Sequence, residues 1–364
     1  MADLTTRLLG FELAHPVMPA AGPPVRDAKM AKACIEGGAS ALVTKTISTT
    51  AANVPVPNMW DFKNYFLNTE LWSELPPEHW LEVEFPEIRR LADEAGIPVI
   101  ISMGYTAEEI AQLAPKVAPF ADAVELSTHY IEDDPRPMQD AIRAAKEALD
   151  VPVFVKMSPF REPQDAAIAA VEAGVDGIVA TNSFGPAFGI DIERGGRPVM
   201  GGKDGHGWMS GPALKPIALR MVYDIARVVD VPIIGVGGIS KGTDVVEYLM
   251  AGASAVGVCT AAITRGPGIF GKIAKQLNKW LDKNGYPSVA SIQGLTLRQQ
   301  IPTMEAPPIL IPEKCTGCNF CVLSCVYDAL YLDENKKIAI VEDNCFKCGV
   351  CLSRCPVDAL ESPY

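Results

Sequence analysis

The chain lacks the roughly eighteen consecutive apolar residues that a membrane-spanning helix requires, although 48% of its 364 residues are hydrophobic. It also lacks a basic run. With a net charge of −12, nucleic acid and anionic membrane surfaces are not expected partners. The opening Met-Ala-Asp-Leu-Thr-Thr-Arg has no charged-then-apolar leader pattern. No Gly-x-Gly-x-x-Gly leads from a strand into a helix with an acidic residue further on, so no nicotinamide site is visible. Cysteine is nearly missing from most of the chain: only Cys34 and Cys259 precede residue 315. Cys34 belongs to no motif and reads as a buried structural thiol.

The other eight cysteines crowd into the C-terminal fifty residues as two copies of one spacing, C-x2-C-x2-C-x3-C. They are Cys315, Cys318, Cys321 and Cys325, then Cys345, Cys348, Cys351 and Cys355. This run holds a [4Fe–4S] cluster, and in two-cluster modules the fourth cysteine of each run ligates the other cluster. Cys355 is therefore expected with Cys315, Cys318 and Cys321, and Cys325 with Cys345, Cys348 and Cys351. Zinc knuckles and disulfides are the rival readings, but zinc motifs pair C-x2-C units across a longer spacer. Thiolates committed to iron suit a reducing cytoplasm.

Upstream, eight short apolar runs alternate with helix-like segments. They are Val17–Ala21, Ala41–Lys45, Val99–Ser102, Ala123–Leu126, Val153–Lys156, Gly177–Thr181, Ile233–Val236 and Ala255–Val258. Turn signals such as Gly96-Ile97-Pro98 and Asp150-Val151-Pro152 precede most of them. Strands without polar alternation belong to a parallel sheet covered on both faces, and a count of eight favours a (β/α)8 barrel over an open sheet. Leu8–Leu13 reads as a small hairpin at the barrel base. The boundaries expected are a barrel over 1–300, a proline-rich linker over 301–312 and a ferredoxin-like domain over 313–364. Two long connections, from Thr46 to about Phe85 and from Asn182 to Pro212, follow strands and so belong at the barrel's C-terminal face, where active sites sit.

Strands seven and eight end in Gly235-Val-Gly-Gly-Ile239 and Gly257-Val-Cys-Thr-Ala261. Glycines there let backbone N–H groups approach a phosphate. Strands two and five end in Lys45 and Lys156, lysines that are costly to bury without an anionic or electron-rich partner. Together these features fit a flavin mononucleotide.

At these residues the barrel resembles the dihydroorotate dehydrogenase superfamily. With the cysteine tail it is most similar to the pyrimidine-reducing part of dihydropyrimidine dehydrogenases. The likeness rests on Val43-Thr-Lys-Thr46, Phe66-Leu-Asn-Thr-Glu-Leu71, Val155-Lys156, Ala180-Thr-Asn182, Ser210-Gly-Pro-Ala-Leu-Lys-Pro-Ile-Ala-Leu-Arg220, Gly235–Ile239 and Val258-Cys-Thr-Ala261. The resemblance implies FMN, its ring over Ala20, Ala21 and Gly22 near Lys45. Ser127, Lys156 and Thr181 would lie round its polar edge. Its phosphate would lie at Gly211, Gly237, Gly238, Cys259 and Thr260. Asn68 and Asn182 would hold the substrate, flanked by Glu70 and Ser183.

One stretch departs from the pattern. After strand four the family has Glu-Leu-Asn-x-Ser-Cys, or a serine for the cysteine, and that thiol or hydroxyl exchanges the substrate proton. Here Glu125-Leu-Ser-Thr-His-Tyr130 puts Ser127 at the asparagine and Tyr130 at the thiol, with His129 beside it. Tyr130 and His129 are the candidate proton donors, with Lys45 the third residue of the catalytic set. The expected activity is an FMN- and iron–sulfur-dependent oxidoreductase that reduces or forms a polarised C=C bond in a small conjugated substrate that need not be a pyrimidine. With no nicotinamide motif, the electron partner is an NAD(P)H-oxidising flavoprotein subunit or a ferredoxin, in a homo- or hetero-oligomer. The alternative is a non-catalytic flavin and iron–sulfur electron-transfer subunit of a larger complex.

Overall fold

The structure is a computed structural model and describes residues 1–127, 134–159 and 162–364. The chain divides into two compact units, Met1–Arg298 and Gln299–Tyr364.

Eight parallel strands form the core of the first unit: β1 (Val17–Pro19), β2 (Leu42–Val43), β3 (Val99–Met103), β4 (Ala123–Ser127), β5 (Val153–Met157), β6 (Gly177–Ala180), β7 (Ile233–Val236) and β8 (Ala255–Val258). Their pairing runs β1-β8-β7-β6-β5-β4-β3-β2. The ladder stops between β1 and β2, where the Ser40 backbone N–H and hydroxyl both donate to Val17 O, making a nearly closed barrel. Every residue of the eight strands is buried, which is why they read as unbroken apolar runs. Helices such as Arg136–Ala148, Lys215–Ala226 and Ile269–Lys283 pack outside. The hairpin expected at Leu8–Leu13 pairs Thr6–Leu8 with Phe11–Leu13.

The two long connections are not structureless. Met59–Asp61 and Phe66–Asn68 come from the first, and Phe184–Phe188 and His206–Ser210 from the second. They assemble into one four-stranded antiparallel sheet, with Trp208 opposite Asn68 in register. One loop thus supplies the partner strands that the other needs.

In the second unit, helices Phe320–Leu323 and Val350–Arg354 each carry the third cysteine of a run, Cys321 and Cys351. The backbone repeats at a fixed interval: Gly317, Asn319 and Asp328 have positive φ, and so do Lys347, Gly349 and Asp358. Gln299–Tyr364 includes the stretch expected as linker, and Ile309–Leu310 there pairs antiparallel with Leu360–Glu361.

Candidate active site and cluster-binding residues

A cavity of about 380 Å³ opens among the strand ends of the first unit. Every described residue expected at the flavin or the substrate lines it: Ala20, Ala21, Gly22, Lys45, Asn68, Glu70, Ser127, Lys156, Thr181, Asn182, Ser183, Gly211, Gly237, Gly238, Cys259 and Thr260. Tyr130 and His129 lie outside the described residues. Trp72 and Tyr105, which were not expected at the site, also line the cavity and meet edge-on with ring centroids 5.0 Å apart. They sit in loops without a motif, so nothing in the sequence marked them. Burial first, then the Glu109 carboxylate, pushes the Tyr105 phenol up to about 12.

One end of the cavity is made of backbone. Gly211, Gly237 and Gly238 have φ of 79°, 137° and 70°, conformations that favour glycine. A Cβ on Gly238 would stand 2.8 Å from Gly211 O, and one on Gly22 would stand 3.3 Å from Cys259 Sγ. Tyr248, fully buried beneath the loop, donates its hydroxyl to Gly237 O at 2.7 Å. Asp244 takes the Ser240 and Lys241 backbone N–H groups at 2.8 and 3.1 Å and the Lys215 ammonium at 2.9 Å. Ser210 and Thr260 share a hydroxyl hydrogen bond of 2.9 Å. This tight glycine cradle fits a phosphate. Burial pushes the Cys259 thiol up to about 11, so it remains a neutral thiol at ordinary pH.

The other end is made of charge. Lys45 is almost fully buried, and its ammonium bonds Glu70 and Glu74 at 2.7 Å each. The second oxygen of Glu70 accepts a short hydrogen bond from Asn58 Nδ2. Lys156 faces Glu125 at 3.7 Å, and Ser102 Oγ donates to that same carboxylate at 3.3 Å. Both lysines therefore have carboxylate partners, contributed by distant parts of the chain. Asn68 Nδ2 donates to Trp208 O at 3.1 Å across the loop sheet, while Asn68 Oδ1 accepts the Glu70 N–H at 3.3 Å. Asn182 Oδ1 accepts the Ser183 N–H at 2.9 Å, and among the described residues its amide N–H groups have no partner.

The second unit has a small hollow lined by Cys315, Cys318, Cys321 and Cys355. That is three cysteines of one run with the last of the other. Burial first, then neighbouring thiols that include Cys355 and Cys318, raises the Cys321 thiol. Among the described residues no three His, Cys, Asp or Glu side chains close on the point one metal ion would occupy. Four thiols set round one hollow fit the ligand set of a [4Fe–4S] cluster. Backbone N–H groups of Ala329 and Ala359 point at Cys325 Sγ and Cys355 Sγ, 3.4 and 3.2 Å away, and such bonds stabilise charge on a cluster thiolate. Cys325 and Cys355 occupy the same place in their two runs, as do the two alanines.

The sequence profile of the dihydroorotate dehydrogenase family matches residues 3–281, and that of the 4Fe-4S dicluster domain matches residues 314–359. The chain belongs to the dihydroorotate dehydrogenase family. Similar proteins include catalytic subunits of dihydroorotate dehydrogenase B (NAD(+)). The subunit from Pyrococcus abyssi is 35% identical over 307 residues, which cover 81% of this chain and 99% of that protein. The one from Methanothermobacter thermautotrophicus is 36% identical over 304 residues, 80% of this chain and 98% of that protein. As a member of the family with a dicluster domain, the chain is an oxidoreductase of the class acting on CH–CH bonds, with FMN and two [4Fe–4S] clusters as cofactors. Among the described residues no helix is long and apolar enough to cross a membrane.

Proposed function

We propose that the chain reduces a polarised C=C bond in a small, neutral, conjugated ring bearing N–H donors, with electrons supplied by a partner protein through the clusters. The observation that carries this reading is the Glu70 carboxylate in the cavity wall beside Asn68, where Lys45 is already matched by Glu70 and Glu74. A ligand carboxylate there would meet an anion: like charges 4 Å apart cost about 4 kcal/mol at an effective dielectric of about 20. A ring N–H would instead find an acceptor.

Bound FMN supplies hydride and accepts single electrons. In this reading the Gly211, Gly237 and Gly238 cradle with Thr260 holds its phosphate. Lys45 and Lys156 stand at its ring with Ala20, Ala21, Gly22, Ser127 and Thr181. Asn182 turns its amide N–H groups to a substrate carbonyl, Glu70 takes a ring N–H, and Asn68 holds the wall through Trp208. A proton must reach the reacting carbon from a positioned acid, and Tyr130 or His129 is the proposed donor. The likeness to dihydropyrimidine dehydrogenases supports a pyrimidine-type ring, while the relatives' name, dihydroorotate dehydrogenase B, favours dihydroorotate as the second reading. Those relatives are called catalytic subunits of an NAD(+) enzyme, which supports a separate NAD(H)-handling subunit as electron partner.

The test is anaerobic: the purified protein is reduced and then offered uracil, orotate, enoates and enoyl thioesters, while flavin reoxidation is followed by absorbance. A neutral ring is expected to reoxidise it fastest. Fastest reoxidation by orotate would overturn the neutral-ring reading in favour of the relatives' substrate. Reoxidation by a partner protein alone would leave an electron relay.

A further inference from the structure

Lys45 holds two carboxylates, and only Glu70 lines the cavity; Glu74 stands behind it, half-exposed. Glu70 is anchored a second time by Asn58, so Lys45 has a fixed partner without Glu74. The distinct contribution of Glu74 is a second negative charge on one ammonium. With Lys156 and Glu125 included, the network counts two cations and three carboxylates among the described residues. The other charged groups lining the cavity stand outside this network. Among the described residues these are Arg265, which donates to Ser240 O at the glycine loop, and Asp61 and Lys63 on the outer hairpin, where Asp61 accepts the Lys63 backbone N–H.

We propose that Glu74 is a positioning residue that lowers the reduction potential of the bound flavin by acting through Lys45. The inference rests on the reading that puts the flavin ring against Lys45. Two electrons, arriving singly from the clusters, and one proton leave the reduced ring one unit more negative than the oxidised ring. A buried ammonium alone would stabilise that added charge. A second carboxylate on the same ammonium cancels part of the attraction, so the flavin is poised to give electrons away. Glu74 is half-exposed, which lets it act by charge with little packing to lose.

The experiment is a redox titration of the flavin in the holoenzyme against reference dyes, following its absorbance. Glu74→Gln is expected to raise the midpoint. At a fixed solution potential, the ratio of reduced to oxidised flavin should rise on the order of three- to thirtyfold for one partly screened charge. Glu74→Asp, which keeps the charge, should stay near wild type, as should Glu82→Gln, an exposed carboxylate elsewhere. Lys45→Met should lower the midpoint. If Glu74→Gln matches Glu82→Gln while Lys45→Met still lowers the midpoint, the proposal is overturned and the flavin reading stands. A shift common to Glu74→Gln and Glu74→Asp would show lost packing rather than lost charge, and would also overturn it. If Lys45→Met leaves the midpoint unchanged, the placement of the flavin against Lys45 fails, and the inference with it.

Discussion

At the scale of single residues, Gly238 and the two barrel cysteines carry consequences that can be measured. Gly238 has φ of 70°, and a Cβ would stand 2.8 Å from both Gly211 O and Lys215 Cβ. Gly238→Ala is therefore expected to cost about 1–3 kcal/mol of stability and to weaken FMN binding, read from denaturant melts and from fluorescence titration of the apoprotein. Burial holds the Cys259 and Cys34 thiols up at about 11 and about 12, against an ordinary value of 9.0. A raised acid pKa means that folding favours the protonated thiol. That stability is fully present below pH 9 and is lost as pH rises from there toward 11–12. Melting temperature should fall over that alkaline window, and less steeply in Cys34→Ala, whose thiol no longer has to ionise. Much at this scale was legible in the sequence. Lys45, Lys156 and the glycines stand at strand ends, and strand ends are where a barrel gathers its chemistry. The carboxylates that meet the lysines were not legible as partners. Glu70 and Glu74 come from a loop whose path depends on tertiary pairing, and no spacing rule joins them to Lys45.

Among the secondary-structure elements, the eight barrel strands were readable because both their faces are buried and turn signals bracket them. The four-stranded loop sheet was not. Phe184–Phe188 carries glycine and proline and His206–Ser210 carries glycine, so both depend on tertiary pairing, with each other and, for His206–Ser210, with Phe66–Asn68. The helix Gly242–Met250 begins beside the glycine loop, and buried Asp244 ties the two together through Ser240, Lys241 and Lys215. Asp244→Ala strands the two N–H groups and part of the Lys215 charge. It is expected to cost about 3 kcal/mol in chemical denaturation, with faster FMN release, while Asp244→Asn should cost less. Equal losses in the two variants would mean that charge has no part in the tie.

Across the whole molecule, the two units differ in how they are stabilised. The barrel buries dozens of apolar side chains, whereas the buried core of Gln299–Tyr364 is a small group around Cys321, Leu330, Ile338 and Leu360. A domain of that size rarely holds together on so small a core without a staple, and the clusters are the staples available. Removing iron with a chelator should therefore unfold the second unit and leave the barrel's melting transition in place, seen as two separated steps by calorimetry. Crossed ligation gives a sharper test: Cys355→Ala should abolish the cluster held by Cys315, Cys318 and Cys321, the run it does not belong to. Electron paramagnetic resonance of the reduced protein would then retain the signal of the other cluster alone. The duplicated cysteine spacing made this unit's chemistry readable from the outset. Its paired strand Ile309–Leu310 was hidden in a proline-rich stretch that reads as spacer.

The hydrogen bond from Asn68 to Trp208 O joins two loops more than a hundred residues apart in the chain. A wall built this way ties the histories of its halves together. A replacement in either loop that reshapes the pocket must be answered in the other, or the strand pairing that holds both is lost. Substrate preference among relatives of this protein should therefore change by paired substitutions, with positions around Asn68 and Trp208 varying in step.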